Sequence, residues 1–227
     1  NARDLDGIDA VVHLAGAGIG DKRWSEAYKR EILESRTRTT ELLAQRLTEA
    51  ERRPSIFLSG SAIGIYGARG DEELDENGSH GTGFLADVCE RWERATQPAE
   101  AAGIRTVHLR TGIVLTPSGG ALGRMITPFR LGLGGRIGSG RQWMSWITLE
   151  DEVGAIRHAL TTESLSGPVN ATAPEPVTND GFTRTLGSVL HRPTLLPTPL
   201  TPLRAVYGRE LVDRSEEHTS ELQSLRH

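Results

Sequence analysis

The strongest constraint on the fold is a regular alternation of β-type and helix-type segments along the first half of the chain. Residues 9–15, 55–58 and 104–110 are short apolar runs that predict buried strands. Between these runs, residues 24–50 and 84–102 carry apolar side chains at helical spacings, which predicts two amphipathic helices. Strands that alternate with helices of this length form βαβ units, so the pattern predicts a doubly wound parallel sheet with helices on both faces.

Three loops follow the predicted strands, at residues 16–23, 59–67 and 111–120, and all three are rich in Gly, Ser or Thr. The carboxyl ends of parallel strands meet at one edge of the sheet, which is where α/β proteins bind their ligands. Small residues at such an edge allow the backbone to approach a ligand closely. We therefore predict that the three loops gather along one rim and form a binding site.

The first of these loops lies in the stretch VVHLAGAGIG, residues 11–20, which has the glycine content of a dinucleotide-binding loop. Its glycines are Gly16, Gly18 and Gly20, and this spacing does not match Gly-x-Gly-x-x-Gly. A basic segment that contains Trp24 follows, where a dinucleotide loop has an apolar helix start. We interpret the stretch as a ligand-facing loop that comes later in the sheet.

Composition narrows the class of protein. The 227 residues carry a net charge of -4 and one cysteine, Cys89, which excludes an internal disulfide and is typical of a cytoplasmic protein. No stretch approaches the roughly 18 apolar residues that span a membrane, and the mild acidity gives no sign of nucleic-acid binding. His108 and His158 lack partners at ligand spacing, so no metal site is predicted. The sequence carries no signal for an oligomeric state.

The character of the sequence changes after residue 120. A Gly-dense stretch leads to a strand in WMSWITL, a helix that starts near Glu150 with Asp151 as its cap, a strand in PVNATA, and a helix through Leu190 capped by Thr178 or Asn179. We predict that this part forms a smaller lobe over the loops of the sheet. The predicted division gives residues 1–128 to the sheet domain, residues 129–213 to the lobe, and residues 214–227 to a polar tail that is a translated sequencing adapter or a disordered segment.

Seven motifs in order carry a resemblance to a known family: DAVVHLAGA, KREILESRTRTTELL, SGSAIGIYG, FLADVCERWE, LRTGIVLTPSGGAL, PFRLGLGGRIGSGRQWMSWITLED and GPVNATAPEPVTN. Over about residues 4–213 the chain resembles the epimerase-type family of extended short-chain dehydrogenases/reductases, the NAD-dependent epimerase/dehydratases. The resemblance implies a Rossmann domain with a small C-terminal substrate lobe. It also implies NADP(H) as cofactor, with NAD as the alternative, and a small-molecule substrate that the sequence does not identify.

One part of the family pattern has no counterpart in this chain. The family opens with a strand, a Thr-Gly-Gly-x-Gly-Phe-like phosphate loop and a helix, so the chain is expected to be a fragment that lacks the first βαβ unit of a partial Rossmann domain. In that unit the pyrophosphate lies on the helix N-terminus, where free N–H groups and the helix dipole favour an anion. We therefore expect this chain to bind the nucleotide weakly or not at all, and a full-length parent to bind it.

The resemblance assigns the cofactor side of the site to the three loops and to the first long helix. The residues are Leu14, Ala15, Gly16, Glu31, Arg36, Ser59, Thr111, Gly112, Ile113 and Val114. Arginine suits phosphate or ribose oxygens because its guanidinium donates two parallel hydrogen bonds, whereas the last four residues would offer backbone groups to the carboxamide. The alternatives are a plain strand-to-loop turn at residues 14–16, an exposed salt bridge on the helix, and a structural strand end at residues 111–114.

The expected catalytic groups are largely replaced. The family's usual dyad is Tyr-x-x-x-Lys, in which Lys lowers the pKa of the Tyr proton donor. Aligning Glu93 with the glutamate of the family's helix puts Leu85 at the Tyr position and Cys89 at the Lys position. Ser61 is then the candidate catalytic residue, which would polarise a substrate carbonyl, while Cys89 is expected to be a packed thiol. Two hypotheses follow: an oxidoreductase or epimerase, or a nucleotide-binding sensor or scaffold without turnover.

On the substrate side the sequence offers a cluster of aromatic, basic and amide side chains, namely Arg141, Gln142, Trp143 and Trp146. Tryptophan and arginine can stack on or pair with an anionic, ring-containing ligand. The alternative is that the two tryptophans pack between the sheet domain and the lobe.

Overall fold

The computed structural model of the protein describes residues 5–199, and its centre is a four-stranded parallel sheet. The strand order is β1-β2-β3-β7, with all neighbours parallel. The strands are β1 (Ala10–His13), β2 (Ile56–Ala62), β3 (Arg105–Thr111) and β7 (Gly167–Ala171). The three strands predicted in the first half are therefore confirmed, as is the doubly wound α/β class.

Helices cover both faces of this sheet because its strands are apolar on both sides. Helix α1 (Glu26–Thr48) and the short helix α3 (Gln97–Ala101) bury Phe57 of β2 in one cluster. On the opposite face, α5 (Leu149–Thr161) packs on the alternate residues of β2, Ile56 and Leu58. The alternation of side chains along a strand sends these neighbouring residues to opposite faces.

The predicted helix 84–102 is divided into α2 (Phe84–Arg94) and α3. Pro98 lies in the first turn of α3, a position where a proline costs no helical hydrogen bond. The hydroxyl of Thr96, at the N-cap of α3, donates to the carbonyl of Glu93 instead of capping a helix. The break therefore comes from local chemistry that the apolar spacing alone did not reveal.

Between β3 and residue 199, the last described residue, the chain forms two small two-stranded sheets and three helices in addition to β7. The strand predicted in WMSWITL is two short strands, which separate at Ser145 and join different sheets. The elements that follow β3, apart from α5 and β7, are β4 (Ile113–Leu115), α4 (Gly120–Arg130), β5 (Trp143–Met144), β6 (Trp146–Thr148), β8 (Val177–Thr178) and α6 (Asn179–Val189). Strand β4 pairs with β6, and β5 pairs with β8.

Two helix starts refine the predicted caps. Thr178 caps α6, its hydroxyl accepting the N–H of Gly181 at 3.2 Å. Thr148, rather than Asp151, caps α5, because the Thr148 hydroxyl accepts the N–H of Asp151 at 3.0 Å. The Asp151 carboxylate in turn accepts the Thr148 hydroxyl at 2.8 Å, so the aspartate supports the cap from within the first turn.

The sheet draws residues from both sides of the predicted boundary at residue 128. Strand β7 lies beside β3, and α5 packs on β2 and β3, although both belong to the second half of the sequence. The division into residues 1–128 and 129–213 stays a prediction, as does the tail 214–227, which lies outside the described residues. Within residues 5–199, no helix is both long enough and apolar enough to cross a membrane.

Candidate functional site

The strand register brings the predicted loops to one edge of the sheet. His13 of β1 pairs with Ser59 of β2, and Ala62 at the end of β2 pairs with Thr111 at the end of β3. Because all the strands run in the same direction, the segments that follow them leave from the same edge. Strands β1 and β3 lie two strand spacings apart, about 10 Å. The ends of β1, β2 and β3 therefore lie along one edge, as predicted, although residues 59–62, which were predicted to be loop, are the last four residues of β2. We call this edge, from residues 14–16 through Ala62 to residues 111–114, the carboxyl rim.

The end of β1 offers exposed backbone to this rim. Leu14, Ala15 and Gly16 are all exposed, and Leu14 retains 51% of its accessible surface. Helix α1 fixes the loop from behind: the Ser35 hydroxyl accepts the N–H of Ala17 at 3.0 Å. These contacts leave the outer surface of residues 14–16 accessible to a ligand.

Arg36 lies directly behind Gly16. Its Nη1 donates to the carbonyls of Ala17 and Ile32, at 2.9 and 3.0 Å, and its guanidinium stacks on the Trp92 ring, 5.1 Å from the centroid. A Cβ at residue 16 would lie 3.0 Å from the Arg36 Cζ, which explains a glycine at this position. The Nη2 and Nε groups make no hydrogen bond to residues 5–199, and burial lowers the pKa of Arg36. The structure thus places a cation with unused donors beside the exposed loop.

Glu31 lies on α1, one helical turn after Tyr28, and faces solvent. Its carboxylate pairs with Lys22 at 3.1 Å, and both side chains are more than half exposed. The salt bridge therefore crosses from α1 to the loop, rather than linking neighbours on the helix. Tyr28 and Trp24 strengthen this attachment by donating to the carbonyls of Gly18 and Ile19 at 2.5 and 2.8 Å. The cofactor role of Glu31 stays a prediction.

The end of β2 is buried, in contrast to the end of β1. Ser59 has no exposed surface, and its hydroxyl donates to the carbonyl of Gly60 at 3.2 Å. Ser61 is 4% exposed and donates to the Glu93 carboxylate at 2.6 Å. Both hydroxyls were predicted to face a ligand, and both are engaged inside the protein. Strand alternation puts residues 59 and 61 on the same covered face, under α2.

Ser61 belongs to a buried ionic network that the sequence did not predict. The Arg110 guanidinium binds both oxygens of Glu93, at 2.8 and 2.9 Å, and Arg110 also donates to the Tyr66 hydroxyl at 2.9 Å. Burial opposes ionisation of Glu93, but the hydrogen bonds from Arg110 and Ser61 outweigh it and hold the pKa of Glu93 below its ordinary value. The network ties α2 to the ends of β2 and β3.

Tyr66, the phenol closest in sequence to the predicted catalytic serine, is part of the same network. It is 2% exposed and donates to the Asn170 side chain at 2.6 Å. Burial raises the pKa of Tyr66, although the adjacent Arg110 opposes this effect. A phenol held in this way links β7 to β3 and has a structural role.

At the end of β3, backbone N–H groups that were predicted to bind the carboxamide of the cofactor are hydrogen-bonded within the protein instead. The N–H of Gly112 donates to the Ala171 carbonyl at 3.0 Å, and the N–H of Ile113 donates to the Ser145 carbonyl at 2.8 Å. Ile113 and Val114 then continue as β4, paired with β6. The segment Thr111–Val114 is therefore at the rim, but two of its N–H groups already have partners inside the protein.

Helix α2 presents Leu85 and Cys89, the two residues that the resemblance aligns with the family's Tyr and Lys, toward the backbone at Gly64. A Cβ at residue 64 would lie 3.6 Å from Leu85 Cβ and 3.7 Å from Cys89 Sγ. Cys89 is 4% exposed and packs with Ile65, Tyr66 and Leu74. The packed thiol that was expected at position 89 is what the structure shows.

The small sheets carry a cavity of about 260 Å³ close to the rim. Trp143 lines it, and two residues further on Ser145 accepts the hydrogen bond from Ile113 at the end of β3. The Trp143 indole donates to Asp71 at 2.7 Å. The other lining residues are Arg136, Ser139, Gly140, Arg141, Thr178 and Asp180. We call this the arginine cavity.

Two of the four predicted substrate-side residues line the arginine cavity, and two do not. Arg141 and Trp143 are lining residues, and the Arg141 guanidinium has no hydrogen bond or ion pair among residues 5–199. Gln142 is 3% exposed and its amide donates to the Ile137 carbonyl at 3.1 Å, so it braces the loop instead. Trp146 donates to the carbonyl of Glu175 and belongs to β6. The two tryptophans thus lie in different sheets and do not pack as a pair.

Among residues 5–199, no three His, Cys, Asp or Glu side chains are arranged so that they could hold a metal ion.

Sequence reasoning missed Glu152, a buried carboxyl beside Thr111. Of the three consecutive acidic residues at the start of α5, only Asp151 was assigned a role from the sequence, that of the helix cap. The signal that could have found Glu152 is its place one helical turn before the apolar Ile156, which is on the face packed against the sheet.

Comparisons with known proteins agree with this geometry. The model of the NAD dependent epimerase/dehydratase family matches residues 2–171. An epimerase family protein of Mycobacterium bovis is 49% identical over 204 residues, which are 90% of this chain and 67% of that protein. The crystal structure of the human epimerase family protein SDR39U1 (isoform 2) with NADPH has a TM-score of 0.87 and 37% identity, covering 92% of this chain and 72% of that one.

A nucleoside-diphosphate sugar epimerase from Corynebacterium glutamicum is 34% identical with a TM-score of 0.74; the match covers 96% of this chain but 48% of that structure. The chain thus spans between about half and three quarters of the length of these relatives. The matched region includes the four-stranded sheet and the carboxyl rim. The chain belongs to the NAD dependent epimerase/dehydratase family.

Proposed function

We propose that the carboxyl rim contributes to the NADP(H) site of an oxidoreductase or epimerase-like protein that acts on a small molecule. The observation that carries this proposal is the exposed loop Leu14–Gly16 with the Arg36 guanidinium behind it, on the same edge as Thr111–Val114. A nicotinamide cofactor supplies hydride transfer when it is bound. Leu14–Gly16 and Arg36 would hold its ribose or phosphate groups, and the end of β3 would support the nicotinamide.

The preference for NADP(H) over NAD has two supports. The human relative SDR39U1 was solved with NADPH and is 37% identical to this chain. In this chain, the Nη2 and Nε groups of Arg36 have no partner among residues 5–199, and a guanidinium is well suited to phosphate or ribose oxygens. NAD is the alternative cofactor.

For the affinity of this chain we propose a dissociation constant for NADPH weaker than micromolar. Residues 5–199 contain no Gly-x-Gly-x-x-Gly loop that joins a strand to a helix start, and such a loop is the usual anchor of the pyrophosphate. Arg36 and the loop at residues 14–16 would then account for only part of the binding energy. Micromolar binding by this chain would refute this point.

The arginine cavity is the proposed substrate side of the site. It adjoins the end of β3 through Ser145, and it presents Arg141 and the Trp143 ring to the same small volume. Arginine pairs with anionic groups and tryptophan stacks on rings, so an anionic, ring-containing small molecule is the proposed ligand class. Asp71 and Asp180 at the cavity wall restrict where such an anion can lie.

A second candidate function is a nucleotide-binding sensor or scaffold without turnover. It is supported by α2, where the resemblance aligns Leu85 and the buried thiol of Cys89 with the family's Tyr and Lys. Neither Ser61 nor Tyr66 offers a free hydroxyl at the rim. Under this alternative the protein binds NADPH but does not consume it.

One pair of variants tests the proposed binding site. Arg36→Met removes the guanidinium at the rim, and Arg38→Met makes the same change two residues later, where the arginine is exposed and pairs with Glu34. NADPH titration followed by nicotinamide fluorescence should show binding weakened about tenfold by Arg36→Met, the loss of one charge-assisted contact, and about unchanged in Arg38→Met. Equal effects of the two substitutions would refute the proposed site.

Turnover separates the two candidate functions. NADPH consumption is followed with a panel of small carbonyl compounds, anionic ring-containing compounds included. The oxidoreductase proposal expects consumption that depends on both Arg36 and Arg141. Binding without consumption across the panel would favour the sensor.

A further inference from the structure

Helix α5 carries a buried carboxyl at the carboxyl rim that has no assigned role. Glu152 is 7% exposed, and its Oε1 accepts the Thr111 hydroxyl at 2.7 Å. Its Oε2 is buried and has no hydrogen-bond partner among the described residues. Thr111 is the last residue of β3, immediately before the segment that the proposed function places beside the nicotinamide.

Among the strands that pack against α5 within residues 5–199, no basic side chain compensates this carboxyl. The strands packed against α5 are β2, β3, β4 and β6, and the only titratable residues in them are Arg105, His108 and Arg110. The Arg105 guanidinium lies at the far end of α5, where it donates to the carbonyls of Ala159 and Leu165. His108 and Arg110 are on the opposite face of β3, engaged with Thr96 and Glu93.

The rest of the surroundings are apolar or exposed to solvent. On α5 itself, Glu150, Asp151, Arg157 and His158 are exposed, so water screens them from the buried carboxyl. The sheet face below the helix is formed by a cluster that contains Leu58, Leu109 and Ile147. A lone carboxylate in such surroundings is strongly disfavoured against its neutral form, because nothing replaces the water that solvated its charge. Burial accordingly raises the pKa of Glu152, and the hydrogen bond from Thr111 opposes this only in part.

We infer that Glu152 is a positioning residue: in its neutral form it fixes the Thr111 hydroxyl and with it the segment Thr111–Val114, and its ionisation releases that segment. An ionised carboxylate at this place gains solvation only if α5 moves away from β3 or water enters between them. Either change removes the support behind Thr111. The inference rests on the proposed function only where it links this segment to cofactor binding.

Hydrogen exchange without any cofactor tests the positioning role. Mass spectrometry follows the amides of a peptide that covers residues 109–116 in the wild type and in Glu152→Gln, which keeps the shape of the side chain but cannot ionise. Between about pH 4, which is below the ordinary pKa of a glutamate, and about pH 9, exchange of this peptide in the wild type should accelerate about tenfold after correction for the intrinsic rate. In Glu152→Gln the corrected rate should not change with pH.

A second variant keeps the test decisive if Glu152→Gln does not fold. Thr111→Val removes the hydroxyl that Glu152 holds but keeps the size of the side chain, so its peptide should exchange faster than the wild type at about pH 4, where Glu152 is neutral. An equal pH response in wild type and Glu152→Gln would overturn the inference, as would a wild-type rate that does not change with pH. NADPH is absent, so failure here leaves the proposed function intact, and failure to bind NADPH leaves this result standing.

Discussion

Replacing Arg110 with methionine tests the buried network that joins α2 to the rim. The substitution removes both hydrogen bonds to Glu93 and the one to the Tyr66 hydroxyl. Methionine fills most of the volume that the aliphatic part of the arginine side chain occupied. The Arg110 and Glu93 side chains are only 3% and 10% exposed, so the glutamate would be left buried without a counter-charge. Breaking a buried pair in this way costs about 3–5 kcal/mol of unfolding free energy.

Urea denaturation followed by tryptophan fluorescence measures this loss. With a typical urea dependence of about 2 kcal/mol per molar, the midpoint of Arg110→Met should fall by about 2 M. Arg94→Met is the matched control. Arg94 is on α2, next to Glu93, and it pairs with Glu90, but these two side chains are 60% and 40% exposed. An exposed pair of this kind contributes about 0.5 kcal/mol or less.

The pH dependence of the same variant gives an independent check. Because the pKa of Glu93 lies below its ordinary value in the folded chain, the stability it contributes is present above the unfolded pKa and is lost as pH falls through the folded pKa. The difference in unfolding free energy between the wild type and Arg110→Met should therefore shrink in acid, where Glu93 is protonated with or without its partner. A deficit no larger than that of Arg94→Met, or one that grows in acid, would refute this account of the network.

Three further predictions follow from single sites. Because the pKa of Glu152 is raised in the folded chain, its stabilising contribution is fully present below its unfolded pKa and is lost as pH rises through the folded value. Glu152→Gln should therefore gain stability relative to the wild type as pH rises from below the unfolded pKa, by about 1.4 kcal/mol per unit of pKa shift, whereas the exposed variant Glu150→Gln should show no such trend in thermal unfolding. Gly112→Ala should lose about 1–3 kcal/mol in urea, because its Cβ would lie 2.7 Å from the Ser145 carbonyl oxygen, while Gly119→Ala, with open space around it, should not; equal losses would contradict this contact. The buried Cys89 should react with a thiol reagent only as fast as the chain opens, so labelling at the rate of an unstructured thiol would show that it is accessible.

Much of the fold follows from periodicity. The apolar runs at β1, β2 and β3 and the helical spacings between them require parallel strands, and parallel strands require that the loops at residues 14–16 and 111–114 leave from one edge. The position of β7 beside β3 could not be predicted from the same pattern, because three short strands and two helices lie between β3 and β7 in the chain. Helix α4 was missed because Gly120, Gly123 and Pro128 weaken its helical signal.

Side-chain roles at the site were harder to predict than the strands. Ser59 and Ser61 have the spacing of residues on one strand face, but the sequence does not say that α2 covers this face. Arg110 and Glu93 are 17 residues apart and meet only because β3 and α2 lie against each other. Arg36 and Gly16 were predicted at the same site, and the structure brings them into contact because both lie at the junction of α1 with the β1 loop. Long-range packing, rather than local pattern, decided which polar groups are free.

Backbone NMR of the chain during titration with NADPH tests most directly whether the carboxyl rim is a nicotinamide nucleotide site. At millimolar NADPH the largest amide shifts should map to residues 14–17 and 111–114, which lie at the ends of β1 and β3, and they should diminish in Arg36→Met but not in Arg38→Met. Shifts confined to another surface of the sheet, or no shifts at millimolar NADPH, would contradict the assignment.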